Sequence, residues 1–113
     1  MTILPSEPTA PPADIVVTTE SPQSISVKWG TVPASNRNGI ITGYRVLYQA
    51  LPNGTSFTKT IGVIGEGGEE SRLTTLEKLN EFTNYSISVL AFTVKGDGPA
   101  SDAMIVQTEE DSK

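Results

Sequence analysis

Apolar and polar residues alternate with a period of two along much of this chain. In Ser24-Ile25-Ser26-Val27-Lys28-Trp29, the residues Ile25, Val27 and Trp29 fall on one side and Ser24, Ser26 and Lys28 on the other. Ile15 and Val17 show the same spacing upstream. The segment Ile40 to Ala50 predicts the clearest long strand, with Tyr44, Val46 and Tyr48 on one face and Arg45, Leu47 and Gln49 on the other. Short strands are predicted over Ser56 to Val63 and Arg72 to Leu76. Tyr85, Ile87, Val89 and Ala91 then alternate strictly, and Met104, Val106 and Thr108 share one side of a final strand. Turn signals separate these runs: Pro33 to Asn38 closing on Asn38-Gly39, then Leu51-Pro52-Asn53-Gly54-Thr55, Gly65 to Gly68, and Val94 to Pro99.

No segment carries a long apolar face of period 3.6, so the pattern of about seven short strands predicts two packed sheets and not a βαβ arrangement. Burial of the apolar sides between the sheets is the driving force. The expected interior takes Ile15, Val17, Ile25, Val27 and Trp29 from the early strands, and Tyr44, Val46 and Tyr48 from the middle. Leu76, Leu79, Tyr85, Ile87, Val89, Ala91, Met104 and Val106 complete it. Residues 1–12 are expected to be a proline-rich linker, 13–108 the folded domain and 109–113 an acidic tail or linker, because Pro5, Pro8, Pro11 and Pro12 fix the backbone and deny ladder donors. The whole chain has 113 residues, enough for one such core.

Composition removes most chemistry. The chain has no histidine and no cysteine, which excludes imidazole and thiolate metal sites, disulfides, and the common catalytic triads. A net charge of −5 opposes general binding to nucleic acid. The glycine run lacks the Lys-Ser/Thr ending of a phosphate loop and is flanked by Glu66, Glu69 and Glu70. Glu69-Glu70 and Glu109-Glu110-Asp111 lack the ligand spacing of a calcium hand and read as solvated surface. No apolar stretch is long enough to span a membrane, and the Met1-Thr2-Ile3-Leu4-Pro5 start lacks a signal-peptide pattern, so targeting information is expected outside these residues. No cofactor or metal is implied.

From the proline lead-in through Trp29 and Asn38-Gly39-Ile40-Ile41-Thr42-Gly43-Tyr44 to both late strands, the chain resembles a fibronectin type III domain. The most specific stretch is Leu76-Glu77-Lys78-Leu79-Asn80-Glu81-Phe82-Thr83-Asn84-Tyr85, followed by Gly96-Asp97-Gly98-Pro99-Ala100-Ser101. The resemblance implies an all-β, seven-stranded immunoglobulin-like sandwich of antiparallel sheets ABE and C'CFG. It implies a structural core around Trp29, Tyr44, Leu79 and Tyr85, with the Tyr85 hydroxyl closing a corner against a nearby backbone carbonyl. Glu81 stands where the family often has proline, so a looser corner on the same chain path is expected.

The resemblance also implies a non-enzymatic module, found in tandem in cell-adhesion molecules and receptor tyrosine phosphatases, that recognises proteins and spaces its neighbours. That role places it outside the cell, in a single-pass membrane protein or a secreted one. An intracellular scaffold or muscle protein is the alternative. With strands C, F and G adjacent, Arg45, Leu47, Leu90, Phe92 and Ile105 have outward parity and are expected to form an apolar patch with a basic edge, a candidate protein contact. Lys95-Gly96-Asp97 resembles the Arg-Gly-Asp tripeptide that some members present to integrins. Asn53-Gly54-Thr55 and Asn84-Tyr85-Ser86 are N-glycosylation sequons, making Asn53 and Asn84 candidate acceptors. The expected partners are neighbouring tandem domains and another protein, with the isolated domain monomeric.

Overall fold

The computed structural model describes residues 6–63 and 72–110. Eight strands are present among them: β1 (Val16–Ser21), β2 (Ser24–Lys28), β3 (Gly43–Ala50), β4 (Ser56–Gly62), β5 (Leu73–Leu76), β6 (Asn84–Thr93), β7 (Gly96–Asp97) and β8 (Met104–Gln107). A three-stranded sheet runs β1-β2-β5. A five-stranded sheet runs β4-β3-β6, with both β7 and β8 paired to the far side of β6. Every pairing is antiparallel, and the two sheets close into an all-β sandwich of the expected topology. The eighth strand is β7, a two-residue pairing with β6 that lies inside the segment Val94 to Pro99 expected as a turn, and it is separated from β8 by a break. Pro99 lies in the gap, where a ladder donor is missing, and Ser101 holds the break by donating its N–H to the Val89 carbonyl (2.9 Å) and accepting the Val89 N–H on its hydroxyl (3.0 Å).

The register sets which residues meet. Tyr44 pairs with Ala91, Val46 with Val89 and Tyr48 with Ile87 across β3 and β6, while Ile25 pairs with Leu76 across β2 and β5. These rows face each other, and Ile25, Val27, Val46, Ile87, Val89 and Ala91 are completely buried. Each such aliphatic side chain contributes about 1.5–3 kcal/mol on leaving water. Trp29 packs within the same cluster, its ring 5.4 Å from that of Tyr44 at 59°. Its indole Nε1 is buried with no hydrogen-bond partner among the described residues, so the ring is held by area and shape. Val32, which no alternation marks, is also fully buried, and Arg37 Nε donates to its carbonyl at 2.8 Å.

Two expectations need correction. Met104 was expected inside and is 36% exposed. It does lie opposite Ile87, but it opens a strand at the margin of the wider sheet, where three strands cannot cover five. Ile40 was expected to begin a strand and is 84% exposed, because β3 starts only at Gly43. Positive φ values at Asn38 (56°) and Gly39 (152°) show the turn placing Ile40 off the ladder.

Residues 6–12, expected as a linker, lie along the body. The Ser6 N–H donates to the Asn38 carbonyl (2.7 Å) and the Thr9 N–H to the Asn36 carbonyl (2.9 Å). Pro8 and Pro12 are buried. The Gly65 to Gly68 turn and the Glu69-Glu70 pair lie outside the described residues.

Candidate recognition surface

The corner between β5 and β6 fixes the orientation of the longest strand. The Asn80 N–H donates to the Tyr85 hydroxyl at 2.8 Å, so the hydroxyl accepts from an amide where a carbonyl partner was expected. Thr108 completes the knot: its hydroxyl donates to the Asn80 carbonyl (2.7 Å) and accepts the Thr83 N–H (2.9 Å), and its own N–H donates to the Thr83 carbonyl (3.0 Å). Thr108 is 1% exposed, a role that parity alone does not reveal. On either side of Glu81, Lys78 and Phe82 adopt positive φ values of 60° and 46°. Leu79 is buried here, with its N–H on the Gln23 carbonyl (2.9 Å).

With β6 so held, its odd residues face inward and Ser86, Ser88, Leu90 and Phe92 face outward. Leu90 lies opposite Arg45, Ser88 opposite Leu47, and Phe92 between Gly43 on β3 and Asp97 on β7. Gly43 matters because a Cβ there would overlap the Phe92 ring, which comes close to the β3 backbone at this point. The Arg45 guanidinium stacks 4.4 Å from the centre of that ring. Its Nε donates to Asp97 Oδ1 (3.1 Å) and a terminal nitrogen donates to Thr60 Oγ1 (2.9 Å). One arginine therefore ties β4, β3, β6 and β7 together. The pair is partly exposed, so its contribution to stability is at most about 1 kcal/mol.

The structure brings Arg45, Leu47, Leu90, Phe92 and Asp97 into one contiguous area, with Arg45 across its centre. Leu90 is only 8% exposed beneath these neighbours, whereas Leu47 and Phe92 are half-buried. Ile105 stands apart at 58% exposure, opposite Ser86 and separated from Leu90 by the serine rows. Asp97 is engaged by Arg45, while Lys95 is exposed at the hairpin tip. Asn53 and Asn84 are both exposed, Asn53 in the turn after β3 and Asn84 at the start of β6. On the inner face, burial raises the Tyr44 phenol above its ordinary 10.0, with Arg72 and Arg37 pulling the other way. Among the described residues no three His, Cys, Asp or Glu side chains gather to hold a metal ion.

The chain is similar in sequence and fold to known proteins. The family "Fibronectin type III domain" matches residues 10–107. The cell adhesion molecule DSCAM of Gallus gallus is 39% identical over 116 residues, which is 97% of this chain and 5% of that protein. The receptor-type tyrosine-protein phosphatase F of Danio rerio is 38% identical over 106 residues, covering 94% of this chain and 5% of its own length. The chain thus spans about one-twentieth of these curated relatives. Among solved structures, the FN1-FN3 domains of chicken CNTN1 superpose with a TM-score of 0.78 at 28% identity, over 93% of this chain and 33% of that one. The FN5 domain of Drosophila Lar gives a TM-score of 0.69 at 28% identity, over 88% and 98% respectively.

Proposed function

The chain belongs to the fibronectin type III family, and from that membership we propose that it is an extracellular protein-recognition and spacer module of a cell-surface adhesion molecule or receptor. As a fibronectin type III domain it is non-catalytic. Its work is to hold contacts at fixed positions on a rigid sandwich, and the residues we assign to contact are Arg45, Leu47 and Phe92 on the outer face, with Ile105 as a separate exposed point. The observation that carries this reading is the contiguous Arg45-Leu47-Leu90-Phe92 area of the outer sheet, on a chain whose relatives are named as adhesion molecules and a receptor-type phosphatase. Leu47 and Phe92 supply area to desolvate, and Arg45, already oriented by Asp97 and Thr60, presents its remaining donors at low entropic cost.

Two measurements test it. The purified chain is titrated against the extracellular region of its parent protein, beside Leu47→Ser and a Leu90→Ser, Phe92→Ser double variant; binding that weakens in both variants supports the surface, and equal titrations reject it. Leu47→Ser keeps the test valid if burial of Leu90 makes the double variant unstable. Mass spectrometry of the parent from its natural host reads Asn53 and Asn84: a glycan on either supports extracellular exposure, and two bare sequons oppose it.

A further inference from the structure

Ile40 and Val94 are the most exposed large apolar side chains described, at 84% and 78%, and both sit at turns. Ile40 follows the Asn38-Gly39 turn, and Val94 lies at the tip of the hairpin that pairs Thr93 with Gly96. Such positions favour Gly, Asn, Asp or Ser, and a β-branched apolar residue gains nothing there from the turn itself. A departure of this kind from local chemistry points to a use.

Both residues flank the place where the lead-in is received. Ser6 donates its N–H to the Asn38 carbonyl (2.7 Å), two residues before Ile40, and accepts the Thr93 hydroxyl on its own carbonyl (2.8 Å), one residue before Val94. The two rims are joined through the Thr42 N–H and the Phe92 carbonyl (2.9 Å). The direction of the lead-in is also fixed. Asn38 Nδ2 donates to the Glu7 carbonyl (3.3 Å), and Asn36 Nδ2 donates to Thr9 Oγ1 (3.2 Å). Fully buried Pro8 lies so close to Gly98 that a Cβ on that glycine would come within 2.8 Å of the Pro8 Cβ. Residues 6–9 are therefore held against the Ile40–Val94 rim by hydrogen bonds to both of its sides.

We propose that Ile40 and Val94 form a socket for the module that precedes this one in its parent protein, which makes the joint a fixed-angle contact and not a free hinge. The occupant fitting this rim is the exit end of another β-sandwich presenting a small apolar patch, with an acidic group beside it to meet the exposed Lys95. The proposal rests on the spacer reading above and names the surface that does the spacing. It agrees with the fraction of longer proteins that the chain covers, 33% of the contactin segment and 5% of DSCAM.

The test compares the isolated chain, the natural two-module fragment that adds the preceding module, and that fragment carrying Ile40→Ser and Val94→Ser. The Ile40 and Val94 methyl resonances shift between the isolated chain and the fragment, and the two modules of the fragment tumble with one shared correlation time. The double substitution restores separate, shorter correlation times, while the isolated chain carrying it keeps an unchanged denaturation midpoint. Unshifted methyls or independent tumbling in the unsubstituted fragment overturn the proposal. Concentration-dependent self-association of the isolated chain through these two residues also overturns it, in favour of a second copy. None of these outcomes alters the glycan or titration results, so failure of the joint is distinguishable from failure of the recognition reading.

Discussion

The two faces of the five-stranded sheet are built from the same strands and solve burial differently. On the inner face, Val46, Ile87, Val89 and Ala91 are covered by the opposing sheet and lose all contact with solvent. On the outer face no further sheet lies opposite among the described residues, and the side chains cover one another: the Phe92 ring rests on Gly43, Arg45 rests on Phe92, and Leu90 falls to 8% exposure. The inner face supplies cohesion through close packing. The outer face is expected to give up little stability if its long side chains are drawn away, as the proposed contact role requires.

That contrast can be broken first at the core. Trp29→Ala should cost about 3–5 kcal/mol in urea unfolding, because it opens a large cavity against Tyr44; a loss below about 1 kcal/mol would place the ring outside the cohesive core. At the corner, Tyr85→Phe should cost about 1–3 kcal/mol, since it leaves the Asn80 N–H without its acceptor. Faster amide exchange at Asn80 accompanies that loss, and unchanged exchange would mean the bond contributes nothing. On the outer face, Arg45→Ala should cost at most about 1 kcal/mol while raising amide exchange in the hairpin that Asp97 anchors. A uniform rise across the whole chain would instead make Arg45 a support of global stability.

The smallest effect is silent near neutral pH. Tyr44 holds its proton more tightly in the folded state because burial raises its pKa above 10.0. The stabilisation it contributes is complete below the unfolded value and declines as pH rises past about 10 toward and through the raised folded value. Tyr44→Phe should flatten the fall in thermal midpoint on that alkaline limb. An identical fall in both proteins would assign the limb to other groups.

Strand existence and side were legible in the alternation, because a period of two is a property of the backbone itself. Ile25, Val27, Tyr85, Ile87, Val89 and Ala91 all lie where that period puts them. Degree of burial was less legible. Met104 and Leu90 have the side that parity gives them, but Met104 is exposed at a sheet margin and Leu90 is covered by neighbours from other strands. Val32, Thr108 and the docked lead-in depend on partners far away in sequence: Thr108 binds Asn80 and Thr83, and Ser6 binds Asn38 and Thr93. No local pattern encodes such contacts. The Arg45–Phe92–Asp97 cluster was half legible, since Arg45 and Phe92 were marked as outward and Asp97 as part of the Lys95-Gly96-Asp97 turn, but the stacking that joins them needs the registers of three strands at once.

Side-by-side urea unfolding of Ile87→Ala and Leu47→Ala tests the division of labour between the faces most directly, because the two residues sit on opposite faces of neighbouring strands. The account predicts a loss of about 2–5 kcal/mol for Ile87→Ala and less than about 1 kcal/mol for Leu47→Ala. Equal losses would contradict it, making the outer face a second core with nothing to spare for a partner.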